Sequence, residues 1–80
     1  MDRFRTMASF MRVARAGSFT AAATQLGLSV ALVSRHVADL ETRLGVRLLN
    51  RSTRSLSLTD EGARYAESCE RLIDELERQD

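Results

Sequence analysis

Three glycines divide the first part of this sequence into short helical segments. Apolar residues recur at helical spacing before Gly17, between Gly17 and Gly27, and between Gly27 and Gly45, and the 80 residues include no proline. Glycine commonly follows the last turn of a helix because it adopts the left-handed conformation without strain. The pattern restricts the chain to short helices joined by tight turns. The predicted helices are Asp2 to Ala16, Phe19 to Leu26, and Ser29 to about Leu44.

Each predicted helix has one apolar face, and we interpret these faces as the core. In the first helix the face includes four large side chains, those of Phe4, Met7, Phe10 and Met11. In the third helix a stripe recurs at steps of three and four, at Val33, Val37, Leu40 and Leu44. This spacing is typical of an amphipathic helix that buries one side.

The opposite face of the third helix carries small and mostly uncharged side chains. It consists of Val30, Ala31, Ser34, Arg35, Ala38 and Thr42. A solvated helix face normally carries several charges. A face with a single arginine therefore indicates that something packs closely against it.

The period of the pattern changes after Gly45. Residues 46–50 and 55–58 are short candidate strands, the second with strict alternation, and the polar residues 51–54 lie between them. Such a pair predicts a small β-hairpin. Thr59 is placed to cap a last helix that begins with Asp60 and Glu61, since acids are favourable at a helix N-terminus. The expected fold is mainly α, with a small hairpin and a long C-terminal helix.

Along the last helix, apolar and small residues form a broad stripe. Steps of four and three join Gly62, Ala66, Cys69, Ile73 and Leu76, and the stripe is widened by Tyr65 and Leu72. This heptad-like face is broader than one side of a small domain requires. A chain of 80 residues also has only a small core of its own. The sequence therefore predicts dimerisation through this helix.

Arginines and acids are unevenly distributed along the chain. The formal net charge is only +1, from 12 arginines and 11 acids. Up to Arg54, however, nine arginines face three acids for a net charge of +6, and the remaining residues have a net charge of −5. Such asymmetry suggests a surface for a polyanion in the first part and a different role for the last helix.

The titratable side chains do not form a catalytic or metal-binding set. A metal site would need more ligands than His36, one carboxylate and the distant Cys69. No serine or cysteine comes with the base and the orienting group that a nucleophile needs. We therefore predict a protein that is not an enzyme and holds no cofactor or metal. We interpret His36 as a surface or phosphate-side residue, and Cys69 as a small buried hydrophobe in the stripe of the last helix.

Two helices joined by a turn from Leu26 to Ser29 fit the helix-turn-helix pattern, in which the second helix enters the DNA major groove. The hairpin would then be a wing. Because the groove is about 12 Å wide, the entering helix needs small side chains with one or two long donors among them. This requirement is met by Val30, Ala31, Ser34 and Arg35. Free N–H groups at the helix starts, near Ser18 to Thr20 and near Ser29, would favour phosphate oxygens.

Several short motifs, in this order and spacing, resemble the N-terminal domain of LysR-type bacterial transcriptional regulators. The motifs are Gly17-Ser18-Phe19-Thr20-Ala21-Ala22-Ala23, Leu26-Gly27-Leu28-Ser29, Val33-Ser34-Arg35, Leu40-Glu41, Leu44 to Arg51, and Leu58 to Gly62. The resemblance implies a winged helix-turn-helix at residues 1–58 and a linker helix at residues 59–80 that pairs in a homodimer. It also implies a small-molecule effector, bound only by a C-terminal domain that is absent from this chain.

The resemblance further implies which residues contact double-stranded DNA. Positions at which the family's recognition helix touches base edges are matched by Val30, Ala31, Ser34 and Arg35. The backbone and wing set is Ser18, Thr20, Ser29, Arg51, Thr53 and Arg54. The dimerisation set is Tyr65, Ala66, Cys69, Leu72, Ile73 and Leu76. Family members bind promoter sites with partial dyad symmetry, so such a site is the expected partner of the dimer.

One pair of residues departs from the common pattern of the family. Many members carry Gln-Pro or another polar-Pro pair where this chain has Val30-Ala31. Glutamine can make two hydrogen bonds to adenine, whereas valine offers only an apolar contact, for instance to a thymine methyl group. We therefore do not expect the usual base preference at this position.

Two alternatives to a DNA-binding regulator remain open at this point. A winged helix could use the same face to bind a protein, although such a surface would be expected to add exposed aromatic residues. Here Tyr65 and the three phenylalanines fall on core or stripe positions. An enzyme is the more distant alternative. The longest uncharged run, residues 16–34, is too polar to cross a membrane, so we expect a cytoplasmic protein with no membrane partner.

Overall fold

The computed structural model describes residues 2–51 and 56–79. Within these residues the chain forms four helices and one two-stranded antiparallel sheet. In chain order the elements are α1 (Arg3–Ala16), α2 (Phe19–Leu26), α3 (Val30–Leu44), β1 (Leu49–Arg51), β2 (Leu56–Leu58) and α4 (Asp60–Gln79). The predicted fold, mainly α with a small hairpin and a long last helix, is confirmed.

Polar side chains mark the start of each helix. Four of them accept a hydrogen bond of 2.9–3.1 Å from a backbone N–H in the first turn that follows, namely Asp2, Ser18, Ser29 and Thr59. These N–H groups have no partner within the helix, so each cap stabilises the helix start. The predicted helix starts agree with the structure to within one residue.

The turn between α2 and α3 consists of residues 27–29. Gly27 has a φ of 69°, a conformation that L side chains rarely adopt. The Leu28 N–H donates to the Ala23 carbonyl at 3.0 Å, which closes the turn. The start of α3 is thereby fixed next to the end of α2, as a helix-turn-helix requires.

The centre of the core lies between α1 and α3. These two helices contact each other, and α1 also packs on α2 and α4. The largest fully buried apolar side chains are Phe10 and Val13 of α1, Val33, Val37 and Leu40 of α3, and Leu48 before β1. Burying one such side chain contributes about 1.5–3 kcal/mol. The predicted core positions Phe10, Met11, Val33, Val37 and Leu40 are confirmed.

Two side chains predicted to lie in the core are exposed instead. Phe4 is 68% exposed and Leu44 is 40% exposed. Phe4 lies in the first turn of α1, and Leu44 lies in the last turn of α3. Both side chains line a groove beside the second half of α4 and are not covered by the core. The spacing was right for one helix face, but the core does not extend to the ends of these helices.

The prediction that His36 lies at the surface is wrong. Its side chain is buried, with 4% exposure, and its Nδ1 lies 2.7 Å from the Ser9 hydroxyl of α1 in a hydrogen bond. The position explains the burial, since His36 follows Val33 by three residues and therefore shares the inner face of α3. The hydrogen bond gives Nδ1 of His36 and the Ser9 hydroxyl a partner within the core.

The first strand is shorter than predicted. It begins at Leu49 and includes Arg51, and it pairs in the register Leu49 with Leu58, Asn50 with Ser57, and Arg51 with Leu56. Residues 46–48 are not part of the ladder because the backbone of Leu48 has other partners. Its N–H donates to Glu41 Oε2 at 2.8 Å, and its carbonyl accepts from the Thr59 N–H at 3.0 Å.

Gly62 allows α4 to lie directly on the chain before β1. A Cβ atom placed at Gly62 would lie 2.0 Å from the carbonyl oxygen of Leu48. Because that oxygen is a backbone atom held by Thr59, it cannot move aside independently. Gly62 was predicted to be part of the stripe along the last helix, and the structure places it inside the domain, with the chain before β1.

We expect Gly62→Ala to destabilise the domain by about 1–3 kcal/mol, the usual cost of overpacking a close contact. Helix propensity alone would favour alanine by about 1 kcal/mol, so the steric effect and the propensity effect have opposite signs. Thermal unfolding at a fixed protein concentration measures the difference, because about 1 kcal/mol shifts the midpoint of a domain of this size by roughly 4–8 °C.

The matched control is Ala63→Gly, at the adjacent exposed position of α4. This change measures the helix propensity difference between the same two residues without a close contact. A higher midpoint for Gly62→Ala than for the parent would contradict the close approach of α4 to Leu48.

Candidate nucleic-acid interface

The N-terminal half of α3 presents an exposed face of small side chains. Val30 is 44% exposed, Ala31 and Arg35 are exposed, and Ser34 is half-buried. No acidic residue occurs between positions 30 and 38. The four predicted base-reading residues therefore share one surface, on which Arg35 supplies the long hydrogen-bond donor.

A cleft of about 360 Å³ lies next to this face and leads towards the hairpin. On the α3 side it is lined by Ala38 and Thr42, which follow Ser34 at steps of four residues. On the other side it is lined by Arg47 and Arg51. The cleft joins the exposed face of α3 to two arginines, Arg47 before β1 and Arg51 at its end.

Arg51 is held by contacts with two other elements. Its Nη2 lies 3.4 Å from Glu41 Oε1 of α3, and its guanidinium carbon lies 5.3 Å from the centre of the Phe19 ring of α2. The second contact is a cation–π interaction. The side chain of Arg51 remains 32% exposed. The other two predicted wing residues, Thr53 and Arg54, lie outside the described residues.

The predicted phosphate-side residues lie at the starts of α2 and α3. The hydroxyl of Ser18 accepts from the Ala21 N–H at 3.0 Å, and the hydroxyl of Ser29 accepts from the Leu32 N–H at 3.1 Å. A hydroxyl that accepts one bond can still donate its own proton. Thr20 is exposed in the first turn of α2. Both helix starts thus combine free N–H groups with hydroxyl donors, which favours an anion.

The predicted dimerisation residues in the first half of α4 pack within the chain itself. Cys69 is 2% exposed, and Tyr65 and Ala66 are half-buried against the same core. The Tyr65 ring lies 5.7 Å from the Phe10 ring, in a tilted arrangement. Cys69 is thus a buried core residue, as predicted.

The second half of α4 has a different environment. Leu72 is 58% exposed and Leu76 is 57% exposed, whereas Ile73 is half-buried. Together they line an apolar groove of about 690 Å³ against the first turns of α1 and the end of α3. The predicted dimerisation set therefore divides into one part that packs inside the domain and one part that stays open.

Burial changes the acid–base properties of the two titratable side chains at this point of α4. It raises the pKa of the Cys69 thiol, and it raises the pKa of the Tyr65 phenol, where the neighbouring Cys69 acts in the same direction. An apolar environment disfavours the charged form of both groups. The neutral forms are therefore favoured on folding, and their contribution to stability is lost as the pH rises through the folded-state pKa values.

Within residues 2–51 and 56–79, the structure shows no group of three or more His, Cys, Asp or Glu side chains that could hold a metal ion. In that same part of the chain, none of the helices has the length and apolar character needed to span a bilayer.

Comparison with known proteins assigns this domain to a family. Residues 4–63, well over half of the chain, match the family model described as bacterial regulatory helix-turn-helix protein, lysR family. The chain belongs to the LysR family.

Curated LysR-family relatives are named as transcriptional regulators. An HTH-type transcriptional repressor of Pseudomonas aeruginosa is 58% identical, over 96% of this chain and 25% of that protein. The HTH-type transcriptional activator AaeR of Escherichia coli is 48% identical, again over 96% of this chain and 25% of the relative. This chain thus spans about a quarter of the length of the relatives that it matches.

Solved structures of LysR-family domains have the same fold. The BenM DNA-binding domain, in a complex with catB site 1 DNA, superposes with a TM-score of 0.90 at 30% identity over 99% of this chain and 87% of that one. The CbnR DNA-binding domain, in a DNA complex, gives a TM-score of 0.88 at 38% identity over 99% of this chain and 90% of that one. The expected winged helix-turn-helix architecture is confirmed.

The sequence places Glu41 in a LysR-type motif, but it does not predict the contacts with the Leu48 backbone and Arg51 that make Glu41 part of this site. Its side chain is 8% exposed, and its two oxygens contact the backbone before β1 and the guanidinium of Arg51. One signal could have identified it. Glu41 follows Val37 by four residues and so lies near the buried face of α3, where an acid requires nearby donors.

We expect the Cys69 thiol to react slowly with an alkylating reagent at neutral pH. The thiol is buried and its pKa is raised, and only the exposed thiolate is reactive. The rate of modification, followed by mass spectrometry, should rise sharply when the chain is unfolded in denaturant.

The matched control is the double variant Ser68→Cys with Cys69→Ala, which moves the thiol to an exposed neighbouring position of α4. This variant should react at the rate of a free thiol. Equal rates for the folded parent and the control would contradict the burial of Cys69.

Proposed function

We propose that this chain is a sequence-specific module that binds double-stranded DNA in a transcriptional regulator, with α3 in the major groove and the hairpin on the backbone or in the minor groove. The observation that carries the proposal is the exposed face of α3, which combines small side chains with a single arginine in a LysR-family domain. The BenM and CbnR domains, which share this fold, were solved with DNA.

The α3 face suits base readout for steric and chemical reasons. Val30, Ala31 and Ser34 are short enough to let the helix backbone approach base edges in a groove about 12 Å wide. Arg35 can reach further and can donate two hydrogen bonds to one guanine. Val30 would contact a thymine methyl group rather than an adenine edge, which distinguishes this module from relatives with a glutamine there.

The starts of α2 and α3 supply the phosphate contacts on either side of this helix. The hydroxyls of Ser18 and Ser29 and the exposed Thr20 lie beside free N–H groups at positive helix ends. Arg51, and the wing residues Thr53 and Arg54, would contact the backbone or the minor groove next to the hairpin. Such contacts fix the register of α3 without reading sequence.

A homodimer would present two copies of α3 to a site with partial dyad symmetry. The groove between α1, the end of α3 and the second half of α4 supports this assembly, because its apolar lining includes Phe4, Leu72 and Leu76. We assign residues 1–58 to the DNA-binding domain and residues 59–80 to the linker and dimerisation helix. The first turns of that helix also complete the domain core, through Gly62, Tyr65 and Cys69.

In this proposal the chain has no catalytic role and acts in the bacterial cytoplasm. A small-molecule effector would bind to another part of the whole regulator, as the resemblance to the family implies. A protein-binding role for the α3 face is the alternative outcome of the binding experiments below.

We expect Arg35→Ala to weaken binding to a selected duplex by about 1–3 kcal/mol and to relax the base preference at one position. The loss follows from removing the long donor on the exposed face of α3. The duplex is first selected from a random pool with the parent chain, and the dissociation constants are then compared on the selected duplex and on random duplexes.

The control is Arg71→Ala, which removes the same charge from an exposed position of α4 and should reduce binding little and uniformly. An equal loss on selected and random duplexes for Arg35→Ala would contradict its role in base readout. Failure of the parent to select any duplex would favour the protein-binding alternative.

We expect Leu76→Glu to shift the chain from dimer to monomer, since it places a charge in the apolar groove while leaving the core untouched. Leu76 is 57% exposed in the single chain, so the fold should tolerate the change. Sedimentation equilibrium of the parent and the variant measures the shift directly.

Ser68→Glu is the matched control, because it adds the same charge to an exposed position of α4 that does not line the groove. It should remain dimeric. The same monomeric mass for all three proteins would refute dimerisation through this surface.

A further inference from the structure

Glu41 is a carboxylate within the surface that we propose to face DNA. It lines the cleft beside Ala38 and Thr42, and it is one of three acids among the first 54 residues. An acid near phosphates weakens DNA binding through repulsion between like charges. A carboxylate next to the recognition face is therefore compatible with DNA binding only if other contacts of Glu41 offset this repulsion.

The two carboxylate oxygens of Glu41 have separate contacts. Oε2 accepts hydrogen bonds from the backbone N–H groups of Leu48 at 2.8 Å and Leu49 at 3.3 Å. Oε1 lies 3.4 Å from Arg51 Nη2 and 3.9 Å from Arg47 Nη1. Oε2 thus fixes the backbone at the start of β1. Oε1 holds Arg51, whose side chain lines the cleft.

The Arg51 guanidinium is restricted from a second side by Phe19, whose ring centre lies 5.3 Å away. Phe19 is the first residue of α2, directly after the helix cap Ser18. Arg51 is the last residue of β1, and its guanidinium contacts Phe19 of α2 and Glu41 of α3. Its side chain keeps 32% exposure, and a guanidinium has five N–H donors, so donors remain for a phosphate oxygen.

We propose that Glu41 is a positioning residue for DNA binding, which orders the Arg51 guanidinium beside α3 so that the phosphate contact of the wing and the base contacts of Arg35 are made in one register. The inference rests on the proposed function. Ordering an arginine before binding removes part of the entropy cost of association, and this gain offsets the repulsion from the Glu41 charge.

Glu41→Gln separates the two roles of the side chain. The amide oxygen can still accept from the Leu48 N–H, so the backbone contact is kept. The amide NH2 then faces Arg51, and two donors cannot form a hydrogen bond with each other. The variant also raises the net charge by one, which by itself would strengthen binding to DNA.

The decisive experiment is a double-mutant cycle on the selected duplex, with the parent, Glu41→Gln, Arg51→Ala and the double variant. We expect Glu41→Gln to weaken binding roughly two- to tenfold although it removes a negative charge, because the order of the Arg51 side chain is lost. Arg51→Ala should weaken binding about tenfold and reduce the salt slope by about one. In the Arg51→Ala background, Glu41→Gln should leave binding unchanged or tighter.

Asp39→Asn is the matched control for charge. Asp39 lies on the same helix, and its Oδ2 has no hydrogen-bond partner among residues 2–51 and 56–79. Removing this charge should leave binding equal to that of the parent or tighter. Opposite effects of the two substitutions would support positioning, because a purely electrostatic effect has the same sign for both.

Two results would overturn the inference. One is that Glu41→Gln binds the selected duplex as tightly as the parent or more tightly. The other is that Glu41→Gln weakens binding by the same factor in the parent and in the Arg51→Ala background. If circular dichroism shows that Glu41→Gln does not fold, Arg51→Lys replaces it, because lysine keeps the charge but lacks the planar group held by Glu41 and Phe19. Arg51→Lys should then bind at least about threefold more weakly, and parental affinity would overturn the inference.

The experiment also distinguishes this inference from the proposed function. A parent chain that binds no duplex at low salt would overturn the proposed function together with the role of Glu41. A parent that binds a selected duplex, with independent losses in the cycle, would overturn the role of Glu41 alone.

Discussion

The backbone of Leu48 is the point on which the arrangement of the domain depends. Its N–H is bound by Glu41 of α3, its carbonyl accepts from Thr59 at the start of α4, and the same carbonyl lies against Gly62. Its side chain is also fully buried. These contacts come from both α3 and α4. The relative positions of the hairpin, α3 and α4 are therefore fixed at one residue, Leu48. Moving α3 or the start of α4 away from the chain before β1 therefore requires breaking a hydrogen bond to the Leu48 backbone.

The same constraint explains why α4 has two different halves. Gly62, Tyr65 and Cys69 are held against the core by the close approach at Leu48, whereas Leu72 and Leu76 extend past it. Among residues 2–51 and 56–79, these leucines stay exposed beside Phe4 and line the same groove. The open groove is thus a consequence of a helix that is longer than the core it packs on.

Local signals in the sequence were sufficient for the helices but not for contacts between distant segments. Glycines and caps act within a few residues, so the bounds of α1, α2 and α3 and the exposed face at Val30 and Arg35 could be predicted. The burial of His36 depends on Ser9, 27 residues away, and the late start of β1 depends on Glu41. Periodicity also shows that Phe4 shares a face with Met7 and Met11, but it does not show where the core ends.

The first 54 residues include three acids, and their positions show how carboxylates can occur next to a positively charged surface. Asp2 caps α1 and lies 3.7 Å from Arg5, Asp39 is half-buried, and the side chain of Glu41 is 8% exposed. Asp2 and Glu41 thus have defined partners, and Asp39 is partly removed from the solvent. The exposed part of α3 is left with Arg35 and no opposing acid up to position 38. The Oε1 atom of Glu41 lies 3.4 Å from Arg51 Nη2 and 3.9 Å from Arg47 Nη1, and these two cations offset its repulsion of a polyanion while its structural contacts are kept.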